Sequence, residues 1–144
     1  MKYSHKLSDA VHVLAYIDIY ADGDLSSAAI ADSVESNPSL IRRLMSLLAQ
    51  AGLLETQPGK VAPKLAKPAA DISLLDVYRA LDDQGPLLHV DEKTNPACIV
   101  GGNIQDTLNA AYQEVQAAAE AQMQAISLQS MIDDILVREA GRNR

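Results

Sequence analysis

The chain has 144 residues, of which 22 % are charged, with a net charge of −7, one cysteine, five tyrosines and neither Phe nor Trp. That length suits one globular domain with an appendage, and its core has to be aliphatic. No apolar run is long enough to span a membrane, the opening MKYSHKLSDAV lacks a signal-peptide core, and a lone cysteine excludes an internal disulfide framework, so a soluble cytoplasmic protein is expected.

An acidic total is unusual for a protein that binds nucleic acid, but the charge is unevenly spread. Residues 1–36 hold two bases against six acids, residues 37–68 hold five bases against Glu55 alone, and residues 69–144 hold five bases against twelve acids. The middle is a basic island in an acidic chain. Local field governs phosphate affinity, because exposed charges beyond ~8–10 Å are screened at physiological salt.

In chain order, Lys2 to Lys6 is a polar lead. A helix is predicted from Ser8 to about Tyr20, with Asp9 near its positive end and Val11, Leu14, Ala15 and Ile19 or Asp18 alternating in and out. His5 and His12 read as surface or boundary histidines. Ala21-Asp22-Gly23-Asp24 is a turn by composition. Leu25-Ser26-Ser27 opens a second helix that stops before Glu35-Ser36.

Asn37 to Gly52, NPSLIRRLMSLLAQAG, reads as a complete helix. Asn37 suits the N-cap, Pro38 the first helical position and Gly52 the left-handed residue past the end. Leu40, Leu44, Leu47, Leu48 and Ala51 form an apolar stripe. Ser39, Arg42, Arg43, Ser46 and Gln50 form the other face, which carries two cations and no acid. Such groups can reach phosphates and base edges in a major groove. Alone, the face could equally be that of a solvated amphipathic helix. With a short helix and tight turn before it, the helix completes a helix-turn-helix pattern.

Leu53 to Gln57 and Val61 to Lys67 flank Pro58-Gly59-Lys60, which predicts a hairpin in the position of a wing, with Pro63 at an edge or bulge. A plain surface hairpin is the alternative. Asp71 to Leu81 predicts a helix with a Ser73–Asp76 capping box and Leu74, Val77, Tyr78 and Leu81 buried. Residues 87–102 are a turn-rich linker. His89, Asp91, Glu92 and Cys98 lie there at a spacing that matches no standard metal site, and no metal is expected. Cys98 reads either as a small buried apolar residue beside Ile99 and Val100 or as a sensor thiol.

Asn103 is the expected cap of a long helix running to about Ala125. Its stripe includes Ile104, Leu108, Tyr112, Val115, Ala119 and Met123. A helix ~35 Å long in so small a chain cannot bury that stripe alone, so a homodimer is expected. Ser127 caps a last helix from Leu128 to about Glu139, with Leu128, Met131, Ile132, Ile135 and Leu136 apolar. Gly141 to Arg144 should fray.

The blocks MKYSHKLSDAVHVL, SSAAIADSVESNPSLIRRLMSLLAQAGLLET, DISLLDVYRAL and NPACIVGGNIQDTL together resemble the Rrf-two family of bacterial transcription regulators. The resemblance covers nearly the whole chain. It implies a recognition helix and wing on a dyad-symmetric operator, and a long helix that pairs two subunits. Family members with an iron–sulfur cluster draw three cysteines from the linker before the long helix. Only Cys98 is present here, so the resemblance implies the cluster-free branch and no cofactor. The family wing carries a run of glycines, an aromatic and a Leu-Ala, whereas this chain has PGKVAPKLAK, with one glycine and Leu65-Ala66.

The expected fold is mainly α with a small β-hairpin wing: a winged helix-turn-helix over 1–82, a linker or sensor loop over 83–102 and dimerisation helices over 103–144. The expected function is a homodimeric, sequence-specific repressor that binds double-stranded DNA and answers an unidentified small-molecule or protein effector. Ser39, Arg42, Arg43 and Ser46 would face the groove and Lys60 and Lys64 the backbone, with Lys2, Tyr3 and Ser27 at flanking phosphates. The alternatives are a winged-helix adaptor for another protein and a regulator switched by oxidation of Cys98. No nucleophile–base pair, phosphate loop or metal motif suggests an enzyme.

Overall fold

Six helices and a minimal hairpin follow one another in a computed structural model of the chain, which describes residues 4–56, 62–81 and 85–142. They are α1 (Lys6–Ile19), α2 (Ser27–Val34), α3 (Pro38–Gln50), β1 (Leu54–Glu55), β2 (Lys64–Leu65), α4 (Leu74–Ala80), α5 (Ile104–Ala125) and α6 (Leu128–Arg142), with a 3-10 turn at Ala69–Asp71. Among the described residues no helix is long and apolar enough to cross a membrane.

α1 lies at the centre of the buried cluster. It starts two residues before the expected Ser8, with His5 in the cap position and no side chain bonded to the first turn. Its buried face is Ala10, Val13, Leu14, Ala15 and Ile17, with Val11 and Ile19 half-buried and Asp18 exposed. His12 ties α1 to α2 through a 2.7 Å hydrogen bond between its Nε2 and Ser33 Oγ.

α4 is shorter than expected, because Ala69–Asp71 forms its own 3-10 turn and Ile72 is extended. The Ser73–Asp76 capping box is present: the Asp76 N–H donates to Ser73 Oγ at 3.0 Å, and the Ser73 N–H donates to Asp76 Oδ2 at 2.9 Å. Leu75 is buried and Leu74 only half-buried, whereas Val77, Tyr78 and Leu81 are buried as expected. Ser73 also bridges to Ser127, and the Leu128 N–H donates to the Ile72 carbonyl at 2.7 Å. That bridge holds α6 against α1, so Leu128 and Ile132 join the same buried cluster as Leu14 and Ile17.

α5 contributes no buried residue. Its C-terminal half rests on α4: Arg79 pairs with Glu120 at 2.9 Å, and Gln116 donates to Tyr78 Oη at 3.3 Å. Hydrogen bonds from Gln116 and then Arg79 hold the Glu120 carboxyl below the usual range. Asn103 stands at the start of α5 but does not cap it; its side-chain amide donates instead to the Ile99 carbonyl at 2.8 Å. Ser127 does cap α6, accepting from the Ser130 N–H at 3.0 Å. α6 continues through Gly141 and Arg142, past the end expected at Glu139, supported by Arg138–Asp134 and Arg142–Glu139 pairs along its surface.

Candidate nucleic-acid interface

α3 has the ends that its sequence specifies. Asn37 Oδ1 accepts from the Leu40 N–H at 2.9 Å, Pro38 occupies the first turn, and Gly52 closes the helix at φ +79°. Ile41, Leu44 and Leu48 are fully or almost fully buried, and Leu40 and Leu47 only partly. Ile41 was absent from the expected stripe, and Ala51, included in it, is exposed. The inward set keeps Leu44 and Leu48 of the expected stripe and adds Ile41, so its centre is turned by only about 50° round the helix.

The opposite face is open as expected. Ser39, Arg42, Arg43, Ser46 and Gln50 are all exposed, and no acid lies on the helix. The groups are partly ordered by one another: Arg42 donates to Ser39 Oγ at 3.2 Å and Gln50 to Ser46 Oγ at 3.4 Å. α2 supports this face from behind. Ser26 caps it, accepting from the Ala29 N–H, and Glu35 ends it in the left-handed region at φ 59°. Glu35 and Ser36 return their N–H groups to the last turn of α2, so three residues reverse the chain between α2 and α3. Ser27 is half-buried in the first turn of α2.

The wing is smaller than the sequence suggested. β1 and β2 are two residues each, paired Leu54↔Leu65 and Glu55↔Lys64. Pro63, which cannot donate to the ladder, stands just before β2. Leu53 and Leu54 anchor the hairpin in the core. Lys64 Nζ lies 3.4 Å from Glu55, with both side chains more than half exposed. Such a pair is worth ~0–1 kcal/mol, so a phosphate can draw Lys64 away from it. Lys67 belongs to the same island and is exposed, 3.9 Å from Asp76. It is a further cation beside the hairpin that the sequence reading did not select. Lys2, Tyr3 and Lys60 lie outside the described residues.

The long helix presents its stripe half open: Ile104, Leu108, Tyr112, Ala119 and Met123 are partly exposed and Val115 is 48 % exposed. Before it, residues 85–103 form a clamped loop. Thr94 Oγ1 donates to the Gly101 carbonyl at 2.6 Å, and Gln105 donates to the Glu92 carbonyl at 2.7 Å. A Cβ at Gly101 would overlap the Asn95 carbonyl oxygen, so only glycine fits there. Cys98 is exposed at the tip, with Ile99 and Val100, which excludes the buried reading. The loop folds back on itself and leaves these three side chains outside. The backbone amides of Gly101 and then Val100 hold the Cys98 thiol below its ordinary pKa.

An α2–turn–α3 unit with an exposed cationic face, followed by a hairpin, defines a winged helix-turn-helix regulator. The family profile described as "Rrf2: Iron-dependent Transcriptional regulator" matches residues 3–134, and the chain belongs to the Rrf2 family of transcriptional regulators. YwnA of Bacillus subtilis, provisionally named an HTH-type transcriptional regulator, is 41 % identical over 130 residues, which are 90 % of this chain and 96 % of YwnA. The crystal structure of a provisionally named DNA-binding protein superposes with a TM-score of 0.72 at 38 % identity, covering 88 % of this chain and 98 % of that one. CymR, the global cysteine regulator of B. subtilis, shares the fold at a TM-score of 0.66 and 18 % identity, over 92 % of this chain and 97 % of its own.

The family's description includes iron. A cluster held by three thiolates of one chain needs two more thiols than this sequence has. Among the described residues, no three His, Cys, Asp or Glu side chains converge on a common point. The residues do not fit such a group.

Proposed function

We propose that two copies of this chain bind a dyad-symmetric DNA operator and repress transcription there, without an iron–sulfur cluster. The observation that carries the reading is the acid-free exposed face of α3, with Arg42 and Arg43 between Ser39 and Ser46. Each α3 enters a major groove, its arginines on base edges or phosphates. Lys64 and Lys60 take the adjacent backbone, and Lys2, Tyr3 and Ser27 the flanks. The half-open stripe of α5 joins the copies, because a 22-residue helix with no buried residue leaves its apolar face in water unless a second chain covers it. The class of effector is a small molecule or protein that acts through the linker.

Selection from a random duplex pool tests this reading. The expected result is enrichment of one inverted-repeat motif by the parent and none by an Arg42→Ala/Arg43→Ala double variant. A pool that never converges would contradict sequence-specific binding. The net charge of −7 and the two-residue wing strands would then favour the adaptor reading, in which α3 meets an acidic protein surface.

A further inference from the structure

Two sets of hydrogen bonds tie α5 to the winged helix-turn-helix of its own chain. The first is at its C-terminal end, where the Leu74 N–H donates to the Ile126 carbonyl at 2.8 Å beside the Ser73–Ser127 bridge. The second lies about 15 Å back along the helix, at the half-buried Gln116. Gln116 Oε1 accepts from the Leu87 N–H at 3.0 Å, and its Nε2 donates to Tyr78 Oη at 3.3 Å and to Glu120 Oε2 at 2.9 Å. The Tyr78 hydroxyl donates in turn to the Gly85 carbonyl at 2.7 Å, and Arg79 donates to Glu120 Oε1 at 2.9 Å. These bonds join α4, the linker and α5 in one node. Flipping the Gln116 amide would set its oxygen against the Glu120 carboxylate and its NH2 against the Leu87 N–H, so the node holds in one orientation.

We propose that Gln116 and Tyr78 are positioning residues that fix the angle between α5 and the winged helix-turn-helix, and thereby the half-site spacing that the dimer accepts in its operator. The proposal rests on the homodimer reading above, in which α5 carries the second copy. Burial does not fix the angle, because α5 contributes no buried residue. One attachment is a pivot, and two define a direction. With the node open, α5 can swing about its C-terminal end. It spans 22 residues, or ~33 Å, so a swing of about 6° displaces its far end by the ~3.4 Å rise of one base pair. The partner packs along that arm, so the displacement passes to the separation of the two α3 helices. Neither Gln116 nor Tyr78 lies on α3 or the hairpin, so the node sets where the recognition helices stand and leaves what each of them reads unchanged. Gly85 and Leu87 belong to the linker, so moving the linker also moves the node.

Duplexes that carry the selected half-site motif at a series of spacings test this by anisotropy titration of the full-length chain, Gln116→Ala, Tyr78→Phe and, as a control, Gln113→Ala, which alters an exposed side chain of α5 outside the node. The parent and the control should lose at least about tenfold in affinity when the spacing changes by one base pair, because the half-sites then shift by ~3.4 Å and turn by about 35°. For the two node variants the same change should cost less than about threefold, with the half-site sequence preference unchanged. Arg79→Ala opens the node from its exposed side and serves if Gln116→Ala does not fold. The free dimer gives a second readout. Spin labels on Ala51→Cys, exposed at the end of α3, in a Cys98→Ser background report the distance between the two α3 helices. That distribution should be at least about twofold broader with Gln116→Ala. A sedimenting dimer whose distance distribution is unchanged, or whose affinity falls by one factor at every spacing, would overturn the positioning role and leave the homodimer intact. A monomer by sedimentation would overturn both.

Discussion

Arg42→Ala separates recognition from folding. The side chain is exposed and donates a 3.2 Å hydrogen bond to Ser39 on the same surface. Losing one exposed hydrogen bond costs little, and Ala is at least as good a helix former as Arg, so the unfolding free energy should stay within about 0.5 kcal/mol of the parent. Operator affinity should not stay. A bidentate arginine on a base edge is worth ~1–3 kcal/mol of discrimination, so each half-site loses roughly 5- to 150-fold, and a dimer loses it twice. Fluorescence anisotropy on a selected operator at two salt concentrations measures the loss. If Arg42 reads a base, the salt slope is nearly unchanged; if it touches a phosphate, the slope falls by about 1 per contact. A variant that folds normally and binds within twofold of the parent would refute the placement of Arg42 in the interface.

The neighbouring residue should behave in the opposite way. Ile41 is fully buried, so Ile41→Ala should cost ~2–5 kcal/mol in urea unfolding; a loss below about 1 kcal/mol would mean that α3 is not packed as described. Ser73→Ala removes the Asp76 N–H to Ser73 Oγ arm of a nearly buried capping box, leaves the arm donated by the residue 73 backbone, and should cost ~0.5–2 kcal/mol by the same assay. Glu55→Gln frees Lys64 and removes the one acid of the basic island, so operator affinity should rise by a few-fold, about 0.3–1 kcal/mol; unchanged affinity would place β2 away from the backbone. The amides of Gly101 and Val100 favour the Cys98 thiolate, so its alkylation rate should rise with pH through a midpoint below that of a free thiol, measured with iodoacetamide. A midpoint at the free-thiol value would show that the loop does not hold the sulfur.

What could be read from the sequence was what local chemistry decides. Asn37, Pro38 and Gly52 are start and stop signals that act within one helix, and α3 has those ends in the folded chain. The Ser73–Asp76 box and the Ser127 cap were legible for the same reason. The basic face was legible because exposure needs no partner. Phase was less so: Leu40 and Ile41 are adjacent and both apolar, and tertiary packing against α1 and α2 decided that Ile41 points inward. α1 carries no side-chain cap, so the Ser8 signal pointed to a start that packing moved to Lys6. Cys98 was undecidable from sequence, since burial of a loop residue depends on how the loop folds back. The Thr94 and Asn103 bonds that fix it join groups whose roles spacing does not reveal. The Gln116 node was likewise invisible, because its partners Leu87 and Tyr78 lie 29 and 38 residues away along the chain.

The most direct measurement is an anisotropy titration of the purified chain against the DNA upstream of its own gene, with a scrambled duplex of equal composition, at two salt concentrations. Tight binding that prefers the native sequence and weakens steeply with salt is the predicted result, because several phosphates would be neutralised by the α3 face and the wing. Equal, weak and salt-insensitive binding to both duplexes would contradict the claim that the α3 face recognises DNA.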